Sequence, residues 1–281
     1  MTKPPVIAIL APGEMGAGIG RRLIGWGAQA VVCLDGRSEA SLARARAAGM
    51  RDVPEAAYAD ADMILSIVPP GDALAIAERL APMLEAAVNK PLYVDCNAVS
   101  PETVRGIAAV VEGAGAPFAD AGIIGNPPQS GGYTPVIYAS GAQAGRFAQL
   151  GNHGLDIRVM DGGPGQASAL KMCYAGLTKG LHAVGASVIL GAIEAGVAEP
   201  FLKELAESQP KLLDYFTART PGVFGKAYRW VAEMEEIGGF LEGGGETLYH
   251  GAAQQFARLA ADHEGPRADE AAIKAFLEGR G

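Results

Sequence analysis

The stretch VIAILAPGEMGAGIGRRLIGWG, residues 6–27, decides how this chain is read. Val6 to Leu10 is a short apolar strand that breaks at Pro12 and Gly13, and Met15 to Trp26 continues as a helix carrying many small residues. A turn between a strand and its helix leaves backbone N–H groups pointing outward at a helix N-terminus, a ready site for a pyrophosphate. Gly13 lets that backbone come close to a ligand, and Gly16 lets the helix approach the sheet. Ala11 stands where the first glycine of the usual fingerprint falls. It needs only φ below zero to be tolerated, and Pro12 is stiff but compatible. The context of strand, turn and helix thus predicts a dinucleotide cradle over Ala11, Pro12, Gly13, Glu14, Met15 and Gly16.

Working outward, apolar strands alternate with helix-length segments. Strands are expected at Ala30–Leu34, Met63–Val68, Leu92–Cys96, Pro117–Ala119, Pro135–Ala139 and Leu155–Val159. Helices are expected at Glu39–Ala48 (with Arg44 and Arg46 exposed), Ala73–Ala87 and Pro101–Glu112. Such alternation implies βαβ units and a parallel sheet. The second strand ends in CLDGRS, where Asp35 suits the ribose hydroxyls of NAD and Arg37 with Ser38 suits the extra phosphate of NADP. The balance favours NADP, with NAD possible.

From Gln166 the pattern changes to a long apolar segment without strand alternation, followed by helical patterns at Pro200–Leu205, Lys211–Thr217, Tyr228–Glu236, Glu246–Ala261 and Asp269–Leu277. The boundary is expected near Gly162-Gly163-Pro164-Gly165. The expected fold is therefore an α/β N-terminal Rossmann-type parallel sheet over residues 1–162, then an all-α C-terminal domain over 163–281.

The chain has 281 residues, is 49% hydrophobic, and carries a formal charge of -8. An acidic chain without a run of basic residues argues against nucleic acid as a partner. No stretch looks apolar enough to span a bilayer and no secretory signal is evident, so a cytoplasmic location is expected. Cys33, Cys96 and Cys173 lie far apart and read as free buried thiols. His153, His182, His250 and His263 show no ligand spacing, so no metal is expected.

Two later segments carry candidate chemistry. DCNAVSPETV, residues 95–104, follows the fourth strand, with Asn97 or Ser100 as a cap for the next helix and Pro101 in its first turn. GGPGQASALKMCYAGLTKG, residues 162–180, puts Lys171 early in a long apolar helix, where a lysine is costly unless it meets water, a partner or a cleft. Its helical face continues through Ala175, Thr178 and His182.

With these motifs the chain resembles the β-hydroxyacid dehydrogenase superfamily, which includes 3-hydroxyisobutyrate and 6-phosphogluconate dehydrogenases and the related imine reductases. More closely, it is similar to the 6-phosphogluconate dehydrogenase-like branch with a C-terminal domain of unknown function. APGEMG stands for the superfamily's GLGxMG, IVPP for its third-strand end, and DCNAVSP for its DxSTxSP. FADAGIIG stands for xLDAPVSG, and GPGQASALKM for the segment bearing its lysine.

The resemblance implies that Gly13, Met15 and Gly16 hold the pyrophosphate and that Arg37 reads the 2′-phosphate. It places Val68 and Pro69 beside the adenosine or ribose, Asn97 near the nicotinamide, and Lys171 as catalytic acid or base in hydride transfer between an alcohol carbon and the cofactor. Gly122, Ile123 and Ile124 fall on the substrate strand, with Ile124 replacing a substrate-binding serine. Ala175 replaces an asparagine, and Tyr174 stands where 6-phosphogluconate dehydrogenases have a histidine. With Tyr174 and Thr178 as candidate substrate contacts, the altered donors leave a larger or less charged carbonyl compound as open as a small 3-hydroxy acid. Small residues along the long helix suit close packing, and the resemblance implies a homodimer acting on a small-molecule substrate. The alternatives are an imine reductase on the same scaffold and a non-catalytic dinucleotide-binding sensor.

Overall fold

The computed structural model describes residues 3–129 and 132–279. The chain forms two compact units that divide between Met172 and Cys173. In the first unit, β1 (Val6–Ile9) leads to α1 (Glu14–Gly25), β2 (Gln29–Val32) to α2 (Glu39–Ala47), and a short β3 (Arg51–Asp52) precedes β4 (Met63–Ser66). Then come α3 (Ala73–Ala86), β5 (Leu92–Asp95), α4 (Pro101–Gly113), β6 (Phe118–Ile124), β7 (Val136–Ser140), α5 (Ala144–Phe147) and β8 (Asp156–Val159).

These strands make one eight-stranded sheet in the order β3-β2-β1-β4-β5-β6-β7-β8. Every pairing is parallel except β6 with β7, where Ile123 lies opposite Ile137 in an antiparallel register. Alternate residues feed two cores. Ile7, Ile9, Val32, Leu65 and Val94 face one side; Ala8, Leu10, Val31, Ile64 and Tyr93 face the other. Strand order reverses at β1, which pairs with β2 on one edge and β4 on the other. A crevice opens beyond the carboxyl ends of the strands at such a reversal.

Two strand expectations change. β6 extends to Ile124, five residues past the expected end at Ala119, because pairing on both sides and burial of all but its last residue outweigh the weak strand propensity of Ala-Asp-Ala-Gly. β3 is two exposed residues held by β2, too short to leave an apolar pattern.

α6 (Gln166–Glu194) opens in the first unit and supplies the start of the second. It corrects the expectation that no stretch is apolar enough to span a bilayer. At 29 residues and a mean hydropathy of 1.3 it is long and apolar enough by length and composition, and half of that span is buried in the protein. The second unit continues with α7 (Ala198–Ser208), α8 (Pro210–Arg219), α9 (Ala227–Phe240), α10 (Gly244–Glu264) and α11 (Ala268–Leu277). Small residues on α6 let neighbours close in. A Cβ on Gly176 would come within 2.9 Å of the Tyr249 hydroxyl, and one on Gly185 within 2.5 Å of the Phe216 ring. Cys33 and Cys96 are buried, whereas Cys173 is exposed on α6, so the buried reading fails for that thiol.

Candidate active site

The turn after β1 is built from main chain and braced by two guanidinium groups. Arg37 Nη2 donates to the Leu10 carbonyl at 2.8 Å. Arg44 Nε donates to the Pro12 carbonyl at 2.9 Å, and its Nη2 donates to Ser41 Oγ at 3.1 Å. Arg44 is thus half-buried against the turn rather than the exposed residue its helix position suggested. Long side chains fold back along a surface wherever a carbonyl awaits a donor. Gly13 caps α1 in an extended conformation and, as a glycine, brings no side-chain cap. Main-chain donors are therefore presented at a helix N-terminus. A Cβ on Gly13 would meet nothing within 4 Å, so the front of the turn is open. A Cβ on Gly16 would instead overlap the Ala11 carbonyl oxygen and lie 3.2 Å from Ile9 Cγ2. Glycine at 16 lets α1 sit directly on the turn. A short open turn with uncapped N–H groups fits a diphosphate.

At the end of β2, Gly36 adopts φ of 70°, which swings the chain so that Ser38 caps α2 by accepting from Ser41 N at 3.4 Å. Ser38 therefore has a structural duty alongside any ligand role.

Asn97 ties the ends of β4 and β5 together. Its Oδ1 accepts from Val68 N at 2.7 Å, and its Nδ2 donates to Ser66 Oγ at 2.9 Å and to Asp95. The side chain is 3% exposed, so its amide fixes the half-buried Val68 and the exposed Pro69 that comes next. Ser100, not Asn97, caps α4, accepting from Thr103 N at 3.2 Å.

Lys171 sits on α6 over β6. A Cβ on Gly122 would fall 3.0 Å from Lys171 Cβ and 2.7 Å from the Ala167 carbonyl oxygen, so only glycine lets the helix ride this close. The helix start is anchored by buried polar groups. Asp120 accepts from Gly165 N (2.8 Å), Ser168 N (3.1 Å), Ser168 Oγ (2.6 Å) and Ser140 Oγ (3.0 Å). Ser140 Oγ in turn accepts from Ala167 N at 3.0 Å. Ile123 turns into the core, while Ile124 lies on the same face of β6 as Gly122.

Beside Asp120 lies Asp95, fully buried, with Oδ2 lacking a hydrogen-bond partner among the described residues. Burial, followed by the charge of Asp120, pushes its carboxyl up to about 7, against the lowering effect of Asn97. Sequence reasoning missed Asp95, Asp120, Ser140, Ser168 and Arg44 as contributors. The DCN triplet at the end of β5 and the FAD triplet opening β6 were the available signal, since a carboxylate in a buried strand needs partners.

Tyr174 and Thr178 belong to the second unit. Tyr174 is 52% exposed, and Thr178 Oγ1 donates back to its carbonyl at 2.8 Å. His182 is buried among Tyr215, Phe216 and Trp230, with Nδ1 3.3 Å from Thr220 Oγ1. Desolvation lowers it to about 4, aided by Arg219. It is a neutral core histidine of this unit. His250, half-exposed, pairs with Glu235.

A parallel sheet whose order reverses beside an uncapped, glycine-bearing helix N-terminus defines a dinucleotide-binding α/β domain. Residues 6–150 match the NAD binding domain of 6-phosphogluconate dehydrogenase, and the chain belongs to that family. Residues 192–259 match a domain of unknown function, DUF1932. An uncharacterised 28.5 kDa protein of Methanothermus fervidus is 30% identical over 214 residues, 74% of this chain and 80% of that protein. Among solved structures, the conserved protein MTH1747, described as structurally similar to 3-hydroxyacid dehydrogenases, is 28% identical with a TM-score of 0.70, covering 92% of this chain and 99% of its own. The 3-hydroxyisobutyrate dehydrogenase of Mycobacterium tuberculosis shares the fold at 20% identity and a TM-score of 0.63, covering 98% of both chains.

Proposed function

We propose that the protein is an NAD(P)-dependent oxidoreductase that moves a hydride between the nicotinamide and a hydroxy acid or related alcohol or carbonyl compound, with Lys171 carrying the proton. The observation that carries this reading is the seating of Lys171 on Gly122, on a helix whose first turn is anchored to β6 and β7. A proton carrier must be held in one place, and this lysine's backbone is.

When bound, the nicotinamide dinucleotide supplies or accepts the hydride. The turn Ala11–Pro12 and the N–H groups of Gly13, Glu14, Met15 and Gly16 would hold the pyrophosphate. Arg37, whose fork keeps donors beyond the one given to Leu10, would pair with a 2′-phosphate beside Ser38, which favours NADP with NAD as second choice. Val68 and Pro69 would border the ribose, with Asn97 fixing Val68. Lys171 would give a proton to the carbonyl oxygen in reduction and take it back in oxidation. Gly122 and Ile124 would face the substrate, whereas Ile123 is turned into the core; Tyr174 and Thr178 are proposed as further substrate contacts. The same reading gives residues 1–162 to the cofactor and 163–281 to substrate and dimerisation, in a cytoplasmic homodimer.

Ile124 supports a second reading within the same chemistry. On the face of β6 that carries Lys171, it offers an apolar surface where a carboxylate would lose hydration without a partner. An uncharged C=O or C=N group suits it, as in imine reductases, which share this fold. NADPH consumption measured with keto acids, aldehydes and cyclic imines tests both readings. The first expects turnover that falls about 10²- to 10⁴-fold in Lys171→Ala with NADPH binding intact. Turnover unchanged in that variant removes Lys171 from the chemistry.

A further inference from the structure

Across four neighbouring strands the register aligns Ser66, Asp95, Asp120 and Ser140 in one row, each fully buried. The row has two hydrogen-bonded halves. On one side Ser66 and Asp95 meet Asn97, which holds Val68 beside the dinucleotide crevice. On the other side Asp120 and Ser140 hold Gly165, Ala167 and Ser168 at the start of the helix that carries Lys171. The halves meet where Asp95 Oδ2, without a hydrogen-bond partner among the described residues, lies beside a fully engaged Asp120.

We propose that Asp120 is the positioning residue for Lys171, gripping the first turn of α6 as a lone charge because its in-register neighbour Asp95 holds a proton. The proposal rests on the reading of Lys171 as the proton carrier.

Adjacent strands lie about 4.8 Å apart, so two ionised carboxylates in register inside a dry core repel strongly. One keeps its proton, as in paired-carboxyl sites generally. The donors decide which. Asp120 accepts four hydrogen bonds, two from main-chain N–H groups and two from hydroxyls, and each strengthens with negative charge on the acceptor. Asp95 accepts from the Asn97 amide. The groups facing Asp95 are Ser66 from β4, Asp120 from β6, Tyr93 from its own strand, and Cys96 and Asn97 from the loop after β5. Of these Asp120 is the one other carboxyl group. Its charge also lies at a helix N-terminus, where the peptide dipoles favour it. Lys171 comes one turn after Ala167 and is pressed onto Gly122, so loosening the anchor displaces the lysine.

The test is amide hydrogen exchange at Gly165, Ala167 and Ser168, read as protection factors at pH 6 and pH 9, in the full chain and in Asp120→Asn and Asp95→Asn. Asp120→Asn is expected to cut protection there about 10- to 100-fold at both pH values, while the β1 and β2 amides keep theirs. The parent protein is expected to lose protection at these amides from pH 6 to pH 9. Asp95→Asn, neutral at every pH, is expected to keep it. Unchanged protection in Asp120→Asn, or an Asp95→Asn profile that tracks the parent, overturns the proposal. Should Asp120→Asn fail to fold, Ser168→Ala removes one donor and is expected to lower protection at Gly165 a few-fold; no change there overturns the anchor. In turnover, Asp120→Asn is expected to lower kcat with the KM for NADPH unchanged, and the reverse pattern contradicts positioning of Lys171. Full activity in Lys171→Ala would refute the proton-carrier reading itself, while the exchange data still judge the anchor.

Discussion

Replacing Asp95 with asparagine should change how stability depends on pH, and the structure supplies the size. Its carboxyl rises from 3.8 to about 7 on folding, chiefly through burial. Between those values the folded protein holds a proton that the unfolded chain releases. Stability from this group is therefore fully present below the unfolded value and is lost as pH rises toward 7. The slope is about -1.4 kcal/mol per pH unit, or about 4 kcal/mol over the whole interval. His182 acts with the opposite sign. Lowered from 6.5 to about 4, it contributes stability above 6.5 that is lost as pH falls toward 4. The two slopes oppose each other between about 4 and 6.5 in any transition that unfolds both units together. Urea unfolding of parent and Asp95→Asn at half-unit steps from pH 5 to 8.5 isolates the aspartate. The variant should be the more stable at pH 8 by a few kcal/mol, with the gap closing toward pH 5. Parallel curves at all pH values would refute the claim that Asp95 is protonated in the folded state.

Gly16→Ala forces a methyl group into the Ala11 carbonyl, so it should cost about 1–3 kcal/mol and weaken NADPH binding, measured by urea melts and fluorescence titration. Gly122→Ala puts its Cβ 2.7 Å from the Ala167 carbonyl oxygen and should displace α6, giving a similar loss of stability and a larger loss of turnover than of cofactor affinity. Ile124→Ser should raise kcat/KM for short hydroxy acids relative to uncharged carbonyl compounds by about tenfold, read from paired rate assays.

Most of the sheet was legible because β1, β2, β4 and β5 are apolar runs bounded by turns, a pattern that buried parallel strands require. β3 was not, since two exposed residues leave no pattern. The site was legible where a residue's type announces its use: Gly16 at a tight turn and Lys171 in an apolar helix. The roles of Asp95 and Asp120 were hidden because they arise from register, which pairs residues 25 positions apart. Arg44 was read from its helix face, yet its side chain folds back to Pro12. His182 shares a helical face with Lys171, but the packing of α6 in the second unit buries it beneath Tyr215 and Trp230. A helical wheel gives one side of a helix and says little when several sides are covered.

On the proposed reading, the β1–α1 turn cradles a dinucleotide and Arg37 reads its phosphate. Titration of the parent protein and Arg37→Ala with NADPH and NADH, followed by quenching of the tryptophans, tests it most directly. Tighter binding of NADPH is predicted, with that preference falling about tenfold or more in Arg37→Ala while NADH affinity holds. Binding of neither nucleotide by the parent protein would contradict it.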